Sequence, residues 1–195
     1  MEIEVIQTMY SQLTTSAPVE DSDRQPFTDE EVELLWKHVS DPWVDCILIM
    51  IYSGWRITEI LTLRTDHVDL NSRTMTGGIK TRNGKDRIVP IHSKIFQLVQ
   101  ARFNPKSTYL ITDENGNPMD DGTFRDYFTQ ACNNLGMQHT PHETRHTFRT
   151  SLDSAGANKK CIDLMMGHKS KDVGERVYTH KTLDELKEAI ELITR

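Results

Sequence analysis

The stretch Thr140-Pro141-His142-Glu143-Thr144-Arg145-His146 puts two anion-binding side chains at what its letters predict to be a helix start. Thr140 and Glu143 have capping-box spacing, and Pro141 falls at the first helical position, where no hydrogen bond is lost. His142 and Arg145, three apart, project from one face of that first turn. The turn's unpaired N–H groups and the positive end of the helix dipole already favour an anion there. The chemistry this predicts is the holding of an oxyanion, a phosphate above all. The same letters fit H-E-x-x-H, which places two zinc ligands around a glutamate base. Three features weigh against zinc. The cap already uses Glu143, Arg145 would sit close to a dication, and Arg149 stands where the longer zinc-peptidase signature has glycine.

Other reactive side chains are scattered along the chain. Arg56 follows Gly54 at the start of a predicted helix. Lys80, Arg82, Lys85 and Arg87 put four cations on a short ribbon opposed only by Asp86. His168 follows Gly167 in a turn, and Tyr178 stands beside Thr179-His180. One reaction uses all of these types. A tyrosine hydroxyl attacks a phosphodiester while two guanidiniums hold its non-bridging oxygens. A lysine protonates the leaving oxygen, and histidines position groups and move protons. Arginines supply the charge that a metal supplies elsewhere, so this chemistry calls for no metal. Taken singly, each residue has a plainer reading. Arg56 is an ordinary surface arginine, and the ribbon's lysines guard a sheet edge against aggregation.

The elements that must position these groups follow from periodicity. Residues 1–16 read as a short helix or strand, and 17–25, rich in Pro, Ser and Asp, as a linker. A domain begins at Pro26, with a second capping box at Thr28 and Glu31 ahead of Val32, Leu35, Trp36 and Val39 at helical spacing. Residues 43–52 form an apolar helix that Gly54 breaks. A helix with Ile57, Ile60 and Leu61 inward comes next. Residues 75–80 and 86–91 make a strand pair around Asn83-Gly84, the favoured two-residue hairpin turn. Helices are predicted over 93–103, 122–135, 141–155 and 159–166, the last capped by Asn158 and ended by Gly167. A helix through Val173, Val177 and Tyr178 follows, and then one over 183–194 opened by Thr182 and Glu185. The fold class is mainly α with a small antiparallel β-sheet.

Composition bounds the function. The chain has 195 residues, 36% of them hydrophobic, which suits one domain with a short tail. No apolar run is long enough for a membrane span, and no signal pattern opens the chain. Three widely spaced cysteines, Cys46, Cys132 and Cys161, suit free thiols in a reducing cytoplasm. A net charge of −6 does not announce a nucleic-acid binder. Any DNA-binding surface must therefore concentrate its cations locally.

Four boxes, in this order, resemble the signatures of the tyrosine recombinases, the integrases of phages and integrative elements. They are Gly54-Trp55-Arg56-Ile57-Thr58-Glu59-Ile60-Leu61, His142-Glu143-Thr144-Arg145-His146-Thr147-Phe148, Leu164-Met165-Met166-Gly167-His168 and Val177-Tyr178-Thr179-His180. The resemblance covers residues 26–190 and implies a catalytic domain over 26–195 after a tail of 1–25. It implies that Arg56 and Arg145 clamp the scissile phosphate and that His142 serves as proton acceptor or hydrogen-bond partner. His168 would bond the phosphate, and Tyr178 would form a 3′-phosphotyrosine and free a 5′-hydroxyl. Lys80 is the expected general acid; Arg82 is a poor donor at neutral pH, and Lys85 is the alternative. Arg82, Lys85 and Arg87 are expected along the DNA backbone, with His146 and His180 in supporting places.

The implied partner is double-stranded DNA, bound by a homotetramer on two sites and by a monomer without DNA. The bond energy is kept in the intermediate, so no cofactor is implied. The final helix either completes the core or docks onto a neighbouring protomer. Complete members carry further DNA-binding domains, whereas only 25 residues precede Pro26 here. The chain therefore reads as an excised catalytic portion or an unusually short protein. Gly174, four residues before Tyr178, loosens the helix expected there by about 1 kcal/mol relative to alanine. The rivals are a catalytically silent DNA-binding regulator of the same fold and an H-E-x-x-H zinc peptidase.

Overall fold

The computed structural model describes residues 25–78, 86–113, 115–168 and 182–195. Outside these lie the N-terminal tail, the hairpin tip with Lys80, Arg82 and Lys85, and the segment with Gly174, Tyr178 and His180. The helix expected around Tyr178 and the elements expected in the tail fall there too. What is described is mainly helical with one small antiparallel sheet, the expected class.

The chain opens with α1 (Asp29–Lys37), started by a complete Thr28–Glu31 capping box. Helix α2 (Val44–Ile51) has seven buried residues in eight, as a helix apolar on every side must. It packs against α6 (Pro141–Ser154), α1, α4 (Phe96–Arg102) and α5 (Asp121–Asn134), and so forms the centre of the core. Between α2 and the sheet lies the short α3 (Ile57–Leu61). Strands β1 (Val68–Asp69), β2 (Thr74–Gly77) and β3 (Arg87–Pro90) follow in that spatial order, with Met75 opposite Val89 and Gly77 opposite Arg87. Helices α7 (Lys159–Met166) and α8 (Leu183–Ile190) pack on each other and both on β3.

Three boundaries differ from expectation for identifiable reasons. The helix expected over 93–103 is split into a 3-10 turn, Ser93–Ile95, and α4. His92 Nδ1 accepts the Lys94 N–H at 3.0 Å and draws that first turn tight. The last helix stops at Ile190 because the tail after it is held elsewhere. His92 Nε2 meets the Ile193 carbonyl at 3.0 Å, and Lys94 Nζ donates to the Thr194 carbonyl at 2.9 Å. Strand β1, two residues long, is too short for any alternation to reveal.

Leu186, Ala189, Ile190 and Ile193 are buried, so the final segment packs on its own chain. Cys46, Cys132 and Cys161 are buried and form no disulfide. Burial pushes the Cys132 thiol up to about 12. No described helix is long and apolar enough to cross a membrane.

Candidate functional site

Gly54 is where packing sets up the site. It has φ +65°, and a Cβ there would collide with the Phe148 ring. A side chain fits neither the left-handed backbone nor the space. The close approach lets the end of α2 lie against α6 and brings the Gly54 carbonyl to Arg145. Two residues later Arg56 caps α3, its N–H donating to Glu59 Oε2 at 3.0 Å. The first Arg box and the His-x-x-Arg box meet at this contact.

Arg145 projects inward from the first turns of α6 and is only 4% exposed. Its Nη1 donates to the Gly54 carbonyl at 2.5 Å, and its Nη2 to the Met166 carbonyl. That carbonyl lies at the C-terminal end of α7, where the helix dipole favours a cation. Nη2 also lies 3.3 Å from His168 Nε2. Among the described residues no carboxylate pairs with Arg145. Burial, then the charges of Arg56 and Arg87, pull its pKa down to about 9, with Glu59 acting the other way. A buried guanidinium that repels its neighbours this strongly would be relieved by an anion.

Arg56 is partly buried, with Nη1 3.0 Å from Glu59 Oε1. Glu59 is the residue whose role its position in the sequence did not announce. Its side chain is 1% exposed, yet it carries three charge-assisted hydrogen bonds from guanidinium nitrogens besides the Arg56 N–H. Burial acts to raise its pKa. The Arg87 hydrogen bonds and charge, the Arg56 N–H and the Arg56 charge outweigh that and hold the carboxyl at about 2. The signal that could have found it is capping spacing, a glutamate three residues after the first helical cap.

Arg87 departs from the expected DNA contact. Its side chain is 3% exposed, and Nη1 and Nη2 grip both Glu59 oxygens at 3.0 and 2.7 Å. Nε donates to the Met165 carbonyl at 2.9 Å, and the guanidinium lies 4.0 Å from the Trp55 ring centroid. The strand register explains this. Arg87 pairs with Gly77, and alternation along β3 turns it inward while the exposed Ile88 faces out. Arg87 is thus built into the floor of the site rather than laid along a backbone.

His168 is placed by the end of α7. Gly167 adopts φ +65°, Gly167 N donates to the Leu164 carbonyl at 3.1 Å and His168 N to the Asp163 carbonyl at 2.9 Å. These are the two bonds of a Schellman motif. They fold His168 back so that Nδ1 lies 3.7 Å from Asp163 Oδ1 while Nε2 faces Arg145. Burial and the charges of Arg145 and Arg149 lower its pKa below 6.5, with Asp163 opposing.

His142 sits exposed on the first turn of α6, its ring centroid 4.9 Å from that of His146 at 68°. His146 Nε2 is buried without a hydrogen-bond partner among the described residues. Glu143 Oε2 is taken by the Thr140 N–H at 2.5 Å and lies 3.3 Å from His139 Nδ1. It serves the cap, as its spacing predicts, and no cluster of three potential ligands is placed to hold a metal among the described residues.

Of the six residues expected to carry chemistry, Arg56, Arg145 and His168 form one electrostatically coupled group, and His142 stands on the same turn as Arg145. Lys80 and Tyr178 lie outside the described residues.

A buried arginine with no carboxylate partner among the described residues is a place where an anion would be stabilised. The comparisons with known proteins narrow this. Residues 26–185 match the phage integrase family, and the chain belongs to that family. The tyrosine recombinase XerA of Thermococcus kodakarensis is 29% identical over 154 residues, 74% of this chain and 53% of that relative. The chain thus spans about half the length of such a relative. The integrase of mycobacterium phage Brujita has the same fold, with a TM-score of 0.68 at 22% identity over 87% of this chain and 58% of that one. The Tn1549 transposon integrase, solved in complex with transposon right end DNA, gives a TM-score of 0.66 at 23% identity over 88% and 67%.

Proposed function

We propose that this chain is the catalytic portion of a site-specific DNA recombinase that cleaves and rejoins one strand through Tyr178. The observation that carries the reading is Arg145, buried beside Arg56 and His168 with carbonyls but, among the described residues, no carboxylate to neutralise it. A phosphodiester in that slot would receive bidentate bonds from the two guanidiniums and stabilise both. Glu59 is engaged with Arg56 and Arg87 and makes no ion pair with Arg145.

In the proposed reaction the Tyr178 hydroxyl attacks phosphorus, and its proton passes to His142 or to water. The 5′-oxygen leaves with a proton from Lys80, or from Lys85. Arg56, Arg145 and His168 stabilise the charge gathered on the non-bridging oxygens. Attack by a 5′-hydroxyl of another strand reverses these steps, so the reaction needs no cofactor and the arginines take the place of a metal. Arg82 and Lys85 would follow the DNA backbone outside the cleavage point. Four protomers on two DNA sites would complete an exchange, and the likeness to phage and transposon integrases supports insertion or excision of a mobile element.

A DNA duplex nicked near the cleavage point tests this. Covalent protein–DNA adduct should accumulate, persist in chelator and vanish in Tyr178→Phe. Binding without adduct would instead make the chain a silent regulator, and adduct lost to chelator would contradict the metal-free mechanism.

A further inference from the structure

His168 is strung between two groups of opposite character. Nε2 lies 3.3 Å from Arg145 Nη2, which can only donate, so Nε2 must present its lone pair. Nδ1 then carries the hydrogen, and it faces Asp163 Oδ1 at 3.7 Å, within ion-pair reach. The same turn of α7 fixes both partners. Asp163 offers its carbonyl to the His168 N–H and its carboxylate to the ring, so the Schellman motif locks the pair as a unit. The side chain is one-third exposed. As it stands, the imidazole has no hydrogen to give a phosphate oxygen at Nε2.

An anion beside Arg145 changes that. Among the described residues, the charged groups acting on the ring are Arg145 and Arg149 of α6, Arg56 ahead of α3 and Asp163 of α7 itself. Three are cations, and a phosphodiester oxygen would offset the nearest of them while seeking a donor. Resting on the recombinase reading, we propose that Asp163 is a positioning residue that holds the Nδ1–H tautomer of His168, and that phosphodiester binding draws a proton from solvent onto Nε2. The imidazolium then donates at both nitrogens, to phosphate and to Asp163. Tautomer control by a carboxylate behind a working imidazole is a general device. Here it makes substrate binding and proton uptake one event.

Two consequences follow in opposite directions. In the free protein His168 resists protonation, so its part in stability is lost as the pH falls from 6.5 through its lowered folded value. With phosphate bound the linkage reverses, and affinity rises as the pH falls through that range.

The test is long-range proton–nitrogen NMR of the His168 ring in the full chain, with and without inorganic phosphate, in the unaltered protein and in Asp163→Asn. The free ring should be neutral with the hydrogen on Nδ1. Phosphate should protonate Nε2 near neutral pH and raise the ring pKa by a unit or more. Asp163→Asn keeps the backbone bond, but should mix the tautomers and weaken the phosphate response. In adduct formation from nicked DNA it should cost about 10–100-fold, the usual loss when an imidazole's orienting partner is removed. Lower pH should restore part of that, which a purely structural defect would not allow. An Nε2–H tautomer in the free protein, an unchanged tautomer in Asp163→Asn, or a ring unmoved by phosphate would overturn the proposal. A ring that responds as described in a chain forming no adduct would sink the recombinase reading alone.

Discussion

Two arginines, Arg87 and Arg145, are buried within one site, and consecutive carbonyls at the end of α7 each receive one of them. Arg87 donates to Met165 and Arg145 to Met166. Beyond that they differ. Arg87 grips both oxygens of Glu59 and lies over the Trp55 ring, so its charge is cancelled where it stands. Arg145 has carbonyl dipoles and a histidine, and the guanidiniums of Arg56, Arg87 and Arg149 press on it. The first arrangement holds a fold together. The second leaves a buried cation that an incoming anion would stabilise.

Removing Glu59 puts this contrast under the greatest strain. Glu59→Gln takes the Glu59 carboxylate away from the buried Arg87 and from Arg56, which should cost about 3–5 kcal/mol, read as a lower denaturant midpoint. An unchanged midpoint would mean the two arginines are not differently compensated after all. Arg145→Ala should act chiefly on the reaction. Adduct formation should fall about 10²–10³-fold, as on loss of a donor to a developing oxyanion. Stability should fall less than in Glu59→Gln, because the two hydrogen bonds lost to the Gly54 and Met166 carbonyls are offset by the removal of a buried charge. Equal losses of stability in the two variants would erase the distinction.

Acid should separate the two further. Glu59 ionises at about 2, below its ordinary 4.5. Its contribution is therefore intact above 4.5 and lost as the pH falls from there through about 2. Thermal melts across that range should lose less in Glu59→Gln than in the unaltered chain. The smallest effect is that of inorganic phosphate near neutral pH. It should raise the melting temperature of the unaltered protein by a few degrees and leave that of Arg145→Ala unmoved.

Much of this is legible in the letters. The pairs Thr28 with Glu31 and Thr182 with Glu185 predict helix starts that the structure has, because capping is a local exchange of hydrogen bonds. At Thr140 the glutamate half of the box is present, with Glu143 on the Thr140 N–H. Gly167 announces the turn that aims His168, since only glycine enters a left-handed cap without strain. Arg56, Arg145 and His168 stand out through the boxes that resemble the family's signatures, though Arg56 taken singly reads as a surface arginine, and the fold gathers them. Their partners are not legible in the same way. Arg87 belongs to a row of cations on a ribbon, and nothing in that row says which cation the pleat turns inward. The grip of Arg87 on Glu59 is hidden because it joins α3 to β3, 28 residues on, and Asp163 is hidden because which way its carboxylate turns at the helix end is not written in its spacing. The 3-10 turn after His92 is hidden too, since one imidazole nitrogen decides it.

The decisive measurement follows individual guanidiniums by nitrogen NMR while a short nicked duplex is added to the Tyr178→Phe chain. The Arg145 and Arg56 signals should shift together and saturate, with Arg87 unmoved on its carboxylate. Saturable DNA binding that leaves Arg145 untouched, or that moves Arg87 in its place, would refute the assignment of Arg145 as the open anion site.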